Sequence, residues 1–138
     1  MNWKQFFIAF VVMFVFLFGF GFVWYGKLMH SAHMEVPALW RTEADFSNYF
    51  MWLVLGHVVM AFFFTMLYAR HGAGSVGSGV CLGFLVALVY CGNNLITYAV
   101  QPLTTKILGG WILGDILMFT IAGALLGAIY KPSASAAV

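Results

Sequence analysis

The stretch NYFMWLVLGHVVMAFFFTMLYA, residues 48–69, runs for 22 positions without an Asp, Glu, Lys or Arg. A helix rises about 1.5 Å per residue, so about 20 such residues cross the hydrocarbon core of a bilayer. Backbone groups in lipid have no water to bond, and a helix satisfies them within its own segment. The stretch therefore reads as a transmembrane helix. One residue interrupts its apolar character, His57.

Three further segments match it, at about 5–26, 76–100 and 107–130. The composition agrees: 64% of the 138 residues are hydrophobic and 7% charged, against about 25% charged in a soluble domain. The chain is expected to be an all-α, multi-pass membrane protein forming one membrane domain over residues 1–138. The first segment, FFIAFVVMFVFLFGFGFVWY, is longer than the apolar core of a secretory signal, and no convincing small-residue cleavage site follows it. It is expected to be a retained helix, with Trp24 and Tyr25 as an interfacial aromatic anchor.

Residues 27–47 form the one long connection and hold Glu35, Glu43 and Asp45. The VPALW piece is expected on the membrane surface, with Trp40 at headgroup level. Thr42 to Asp45 fits a helix-start box, although Asp45 or Ser47 could equally cap the second helix. The connections at 70–75 and 101–106 are short, so sequential helices should be antiparallel neighbours in an up-down-up-down bundle. The tail 131–138 is small and polar and expected to fray.

Orientation is balanced. With the N-terminus inside, Lys4, Arg70 and Lys131 lie inside, against Lys27, Arg41 and Lys106 outside. Acids in the long loop, which weigh little in this rule, tip both termini to the cytoplasmic side of a bacterial cytoplasmic membrane. The net charge of +2 and the lack of a Lys/Arg run leave no footprint for nucleic acid or anionic lipid. Cys81 and Cys91 stand about 15 Å apart on one helix, too far for a disulfide.

Small residues recur every fourth position on the third helix: Ser75, Gly79, Gly83, Ala87 and Cys91. The fourth helix carries Gly110, Gly114, Gly123 and Gly127. Such stripes let backbones approach closely, which drives helix association in lipid. They serve packing within the bundle, or a face for a second copy or a larger membrane complex.

Ionisable groups within spans are rare and mark function or a paired interior. His57 and Asp115 lie at similar positions on two helices running in the same direction, roughly 12–14 Å below one surface. Asn93 and Asn94 come to a similar depth on the third helix. Tyr90, Asn94, Thr97 and Gln101 make one polar stripe rising to the loop. His57, Asp115 and Asn94 are thus expected to converge beneath the long loop, with His57 bonded to Asp115 in a closed core. The other reading is a small polar cavity for a solute, headgroup or proton; no ionisable group extends the layer into the opposite half of the membrane.

In MHSAHME, Met29, His30, His33 and Met34 have donor types that suit Cu(I). No cofactor is required by the sequence, and copper is the one option it offers. No P-loop, GxSxG, HExxH or dinucleotide fingerprint occurs.

The opening MNW, then GFVWYGKL, LGHVVMAFFFTMLYARHGA, GVCLGFLVALVY, QPLTTK and GDILMFTIAGALLGAIY resemble the small four-span membrane proteins grouped as domain of unknown function 1761. The likeness covers nearly the whole chain. Members tend to read Tyr-x-Pro-Leu after the first helix, where this chain has WYGKLM. The resemblance implies four spans and transfers no catalytic residue. The function expected is that of a non-catalytic integral membrane protein that self-associates or joins a larger membrane complex. A small-solute or proton carrier using the His57–Asp115–Asn94 layer stands second, and metal binding through residues 29–35 third.

Overall fold

A computed structural model describes residues 2–71 and 74–131. It is almost entirely helical. Helix α1 spans Trp3–Gly21 and continues without a break into a wider, π-type turn over Phe22–Leu28. A short helix α2, His30–His33, and a 3₁₀ turn, Pro37–Leu39, cap one end of the bundle. Then follow α3, Glu43–His71; α4, Val76–Val100; and α5, Thr105–Ile129. Each of the four long helical segments, Trp3–Leu28 included, is long and apolar enough to span a bilayer. The frayed tail expected beyond residue 131 lies outside the described residues.

Local chemistry sets the helix ends. The side-chain oxygens of Asn2, Ser75 and Thr104 accept the backbone N–H of Gln5, Ser78 and Ile107, satisfying donors at the starts of α1, α4 and α5. Thr42 Oγ1 accepts from Asp45 N at 3.3 Å, so the helix-start box begins α3 at Glu43, five residues before the expected position. Glu43 and Asp45 in the first turn and Arg70 and His71 in the last complement the helix dipole. Pro102 lies two residues beyond α4 and disfavours continuing it.

The expected antiparallel neighbours are realised in two pairs. Helix α1 packs on α3 and α4 packs on α5, while α1 and α5 join the pairs. Helices α3 and α4, despite their short connection, scarcely touch along their length. Glycine decides this. A methyl group built on Gly79 would strike the carbonyl of Gly123, and one on Gly83 the carbonyl of Phe119; Gly127 faces Ser75 in the same way. Backbone thus rests on backbone along α4–α5, and α3 has no such face. These four glycines are spent inside the chain.

Gly110 and Gly114 do something else. A side chain on Gly110 would strike Met29, and one on Gly114 would meet the Tyr25 hydroxyl at 2.8 Å and the Trp24 ring. They seat side chains of the first span rather than a neighbouring backbone, which corrects their expected role in helix packing.

The half of the bundle near the termini is sealed by Phe6, Phe64, Tyr68, Phe119, Leu126 and Tyr130, all buried. Edge-to-face ring pairs lock it, with centroids 5.7 Å apart for Phe64–Phe119 and 6.2 Å for Tyr68–Tyr130. Lys131 N donates to Gln5 Oε1 at 2.9 Å and Asn2 N to Tyr130 Oη at 3.3 Å, joining the two ends of the chain. At the opposite end Met29, Ala32, Leu103 and Ile107 form a smaller core, and Lys106 bonds Glu35 at 2.7 Å.

Candidate functional site

The π-type turn is the device that builds the site. Met29 N bonds Trp24 O, five residues back, at 2.9 Å. One extra residue in the turn changes the direction in which the following side chains leave the helix. Trp24 and Tyr25, expected at the lipid interface, turn inward instead. Trp24 Nε1 donates to Gly110 O at 3.0 Å, and Tyr25 Oη donates to Asp115 Oδ1 at 2.6 Å. Gly114 leaves the room these rings need, and Gly110 leaves room for Met29.

Asp115 is buried and takes a second bond from Asn94 Nδ2, also 2.6 Å, on its other oxygen. Three spans are thereby tied at one carboxyl group. The expected bond from His57 is absent. His57 Nδ1 lies 2.8 Å from Leu53 O, one turn back on its own helix. A carbonyl only accepts, so Nδ1 carries the hydrogen and Nε2 is left as an acceptor. Nε2 points towards Gly21 and has no protein partner among the described residues. The imidazole finds an acceptor one turn back on its own helix, while each Asp115 oxygen takes its bond from another span.

His57 and Asp115 nevertheless border one chamber of about 400 Å³. Asn93, Asn94, Tyr90, Met60 and Met118 contribute to its wall, and His33, Trp40 and Trp111 line it on the loop side. Asn93 is exposed to the chamber, whereas Thr97 bonds Asn93 O at 2.9 Å on its own helix and is not among the lining residues. A groove of about 280 Å³ runs from the chamber down the α3–α4 seam, sharing Met60 and Tyr90 with it. The seam exists because those two helices lack a close-packed face.

No Lys or Arg among the described residues lines the chamber. An ionised Asp at the middle of a spanning helix costs about 2.5–3.5 kcal/mol to insert. Interhelical hydrogen bonds return about 0.6 kcal/mol each on average and about 1.7 at most. Two such bonds offset part of that cost.

Trp40 packs inward against the end of the bundle. Its ring lies 4.5 Å from that of His33 and 6.3 Å from that of Trp111, half-buried between the chamber and an outer cavity of about 570 Å³. The four sulfur and imidazole donors of the loop are divided. Met29 is buried against α5, while His30, His33 and Met34 border the outer cavity. Among the described residues no group of three His, Cys, Asp or Glu stands close enough to hold a metal. Cys81 is exposed and Cys91 buried, both with free thiols.

His33 Nε2 accepts from Trp111 Nε1 at 3.3 Å. Burial, and then the neighbouring His30, hold the His33 imidazole below its ordinary value of 6.5. The folded chain therefore binds fewer protons than the unfolded chain between the two values, and its stability falls as pH drops through about 6.5. The drop levels off once His33 is charged in both states. Thermal unfolding followed between about pH 8 and 5 should show this slope, and His33→Gln should flatten it. An unchanged slope in the variant would refute the assignment.

A family model described as a protein of unknown function, DUF1761, matches residues 8–128. No curated protein and no solved structure matches the chain.

Proposed function

The chain belongs to the DUF1761 family, and from the chamber between its four spans we propose a small multi-pass membrane protein that binds a small amphipathic solute. The observation that carries this reading is the convergence of His57, Asn93 and the bonded Asp115 on one open chamber of about 400 Å³. Pockets of roughly 300–1,000 Å³ with a few polar groups on an apolar wall are the usual form of a small-molecule site. The sealed aromatic half below makes the chamber blind towards the termini, which favours a binding protein, or a carrier that must change shape, over an open channel. We place both termini in the cytoplasm, so the chamber mouth faces outward; the acid-diluted charge of the long loop supports this.

Native mass spectrometry of the chain released from its own membranes tests the reading. A bound small molecule is expected in the wild type and should be lost in Asn93→Trp, which fills the chamber. Failure to detect an adduct, or an equal adduct in both proteins, would overturn it. Self-association or assembly into a larger complex would use faces other than the glycine stripes. The outer side of α3, where Met51, Trp52 and Phe63 are exposed, is one of these.

A further inference from the structure

The polarity of the chamber points to one class of solute. Most hydroxyl and indole donors around it are spent within the protein: Tyr25 on Asp115, Tyr90 on Met60 Sδ at 3.4 Å, and Trp111 on His33; the Trp40 indole N–H, buried without a partner among the described residues, is the exception. His57 Nδ1–H is spent on Leu53. What remains is mainly accepting. A carboxylate has about four lone-pair sites and Asp115 uses two. His57 Nε2 is free, and the amides of Asn93 and Asn94 serve either polarity.

The charge balance points the same way. Among the described residues Asp115 is the one Asp or Glu on the chamber wall, and no Lys or Arg lines it. The rings of Tyr25, Tyr90, Trp40 and Trp111 surround the same space, and aromatic faces attract cations, Trp most strongly. An anion would meet a carboxylate with no opposing charge. A neutral acceptor such as a quinone would find few donors. The groove down the α3–α4 seam, walled by Val59, Phe63, Leu67 and Val86, offers an apolar track beginning at Met60 and Tyr90.

We propose that the chamber binds a lipophilic ammonium ion, its N–H groups on Asp115 and His57 and its apolar body along the α3–α4 seam. This rests on the reading of the chamber as a solute site and names the solute's chemistry. The seam sets the second requirement, an unbranched apolar tail entering from the lipid side.

The test uses the full chain in phosphatidylcholine nanodiscs at about pH 7, with empty nanodiscs subtracted, by equilibrium dialysis. Three probes share one body and differ in the head: 4-phenylbutylammonium, 4-phenylbutanol and 4-phenylbutanoate. The ammonium is expected to saturate at one per chain, about tenfold or more tighter than the alcohol, with no saturable binding of the carboxylate. Asp115→Asn should weaken the ammonium about tenfold and leave the alcohol unchanged. If Asp115→Asn does not fold, the ranking of the three probes on the wild type decides alone. Equal binding of alcohol and ammonium, or preference for the carboxylate, would overturn the cation and leave the solute site standing. Absence of saturable binding by all three, together with no adduct from native membranes, would remove both.

Discussion

Gly83→Leu is expected to abolish recovery of the folded protein, or to lower its stability by about 3 kcal/mol or more. The Cβ of any residue at 83 would collide with the backbone carbonyl of Phe119, and a carbonyl inside α5 cannot step aside without moving the helix. Overpacking a well-filled core costs about 1–3 kcal/mol where side chains yield, and here the obstacle is backbone. The consequence is separation of α4 from α5, the most extensive contact in the molecule. Gly92→Ala is the control: a methyl group there meets open space, and the gain in helix propensity is up to about 1 kcal/mol. Thermal unfolding in detergent measures both. If Gly83→Leu unfolded like the wild type, the backbone-on-backbone packing of α4 and α5 would be wrong.

Gly114→Leu should leave the α4–α5 pair intact and destroy the chamber. The new side chain would occupy the space of the Trp24 indole and of the Tyr25 hydroxyl. Tyr25 must then withdraw from Asp115, and the carboxyl group loses one of its two partners. Leaving a buried polar group unpaired costs about 1–3 kcal/mol, less than the damage expected at Gly83. The distinguishing readout is the environment of Trp24: its emission should shift towards that of an exposed indole while helix content is preserved. Retention of the wild-type emission would mean that the first span does not reach α5 through this glycine.

Four spans were legible from the sequence because the signal is simple: apolar runs of about 20 residues or more, interrupted by a single charged residue, Asp115. The third span, expected at about 76–100, coincides with α4, whose start Ser75 caps and whose end Pro102 follows. The start of α3 was missed by five residues because Asp45 was one of several residues able to cap, and Thr42 won. Depth was also legible. Counting residues along each span placed His57, Asn94 and Asp115 at one level, and all three border the chamber.

Counting cannot supply azimuth, the direction in which each side chain leaves its helix. That is why the bond from His57 to Asp115 was expected and Tyr25 was not. Tyr25 lies at the very end of its span, where a tyrosine ordinarily marks the interface. Its reach into the bundle depends on a widened turn and on Gly114 across from it. The available signal was Gly110 and Gly114 one turn apart, leading up to Asp115. Read as a docking face for a backbone, they hid the side chains they accommodate, Met29 at Gly110 and the Trp24 and Tyr25 rings at Gly114.

The bond between Tyr25 and Asp115 joins residues 90 positions apart. Chains are made and inserted from the N-terminus, and contacts distant in sequence close late. While α5 is still being synthesised, Tyr25 has no acceptor, Trp24 has no carbonyl, and the chamber has no floor. The α4–α5 contact is local and forms as soon as its second member arrives. The chamber is therefore completed only once α5 has arrived. A chain truncated before Asp115 would have three membrane spans and no place for a solute.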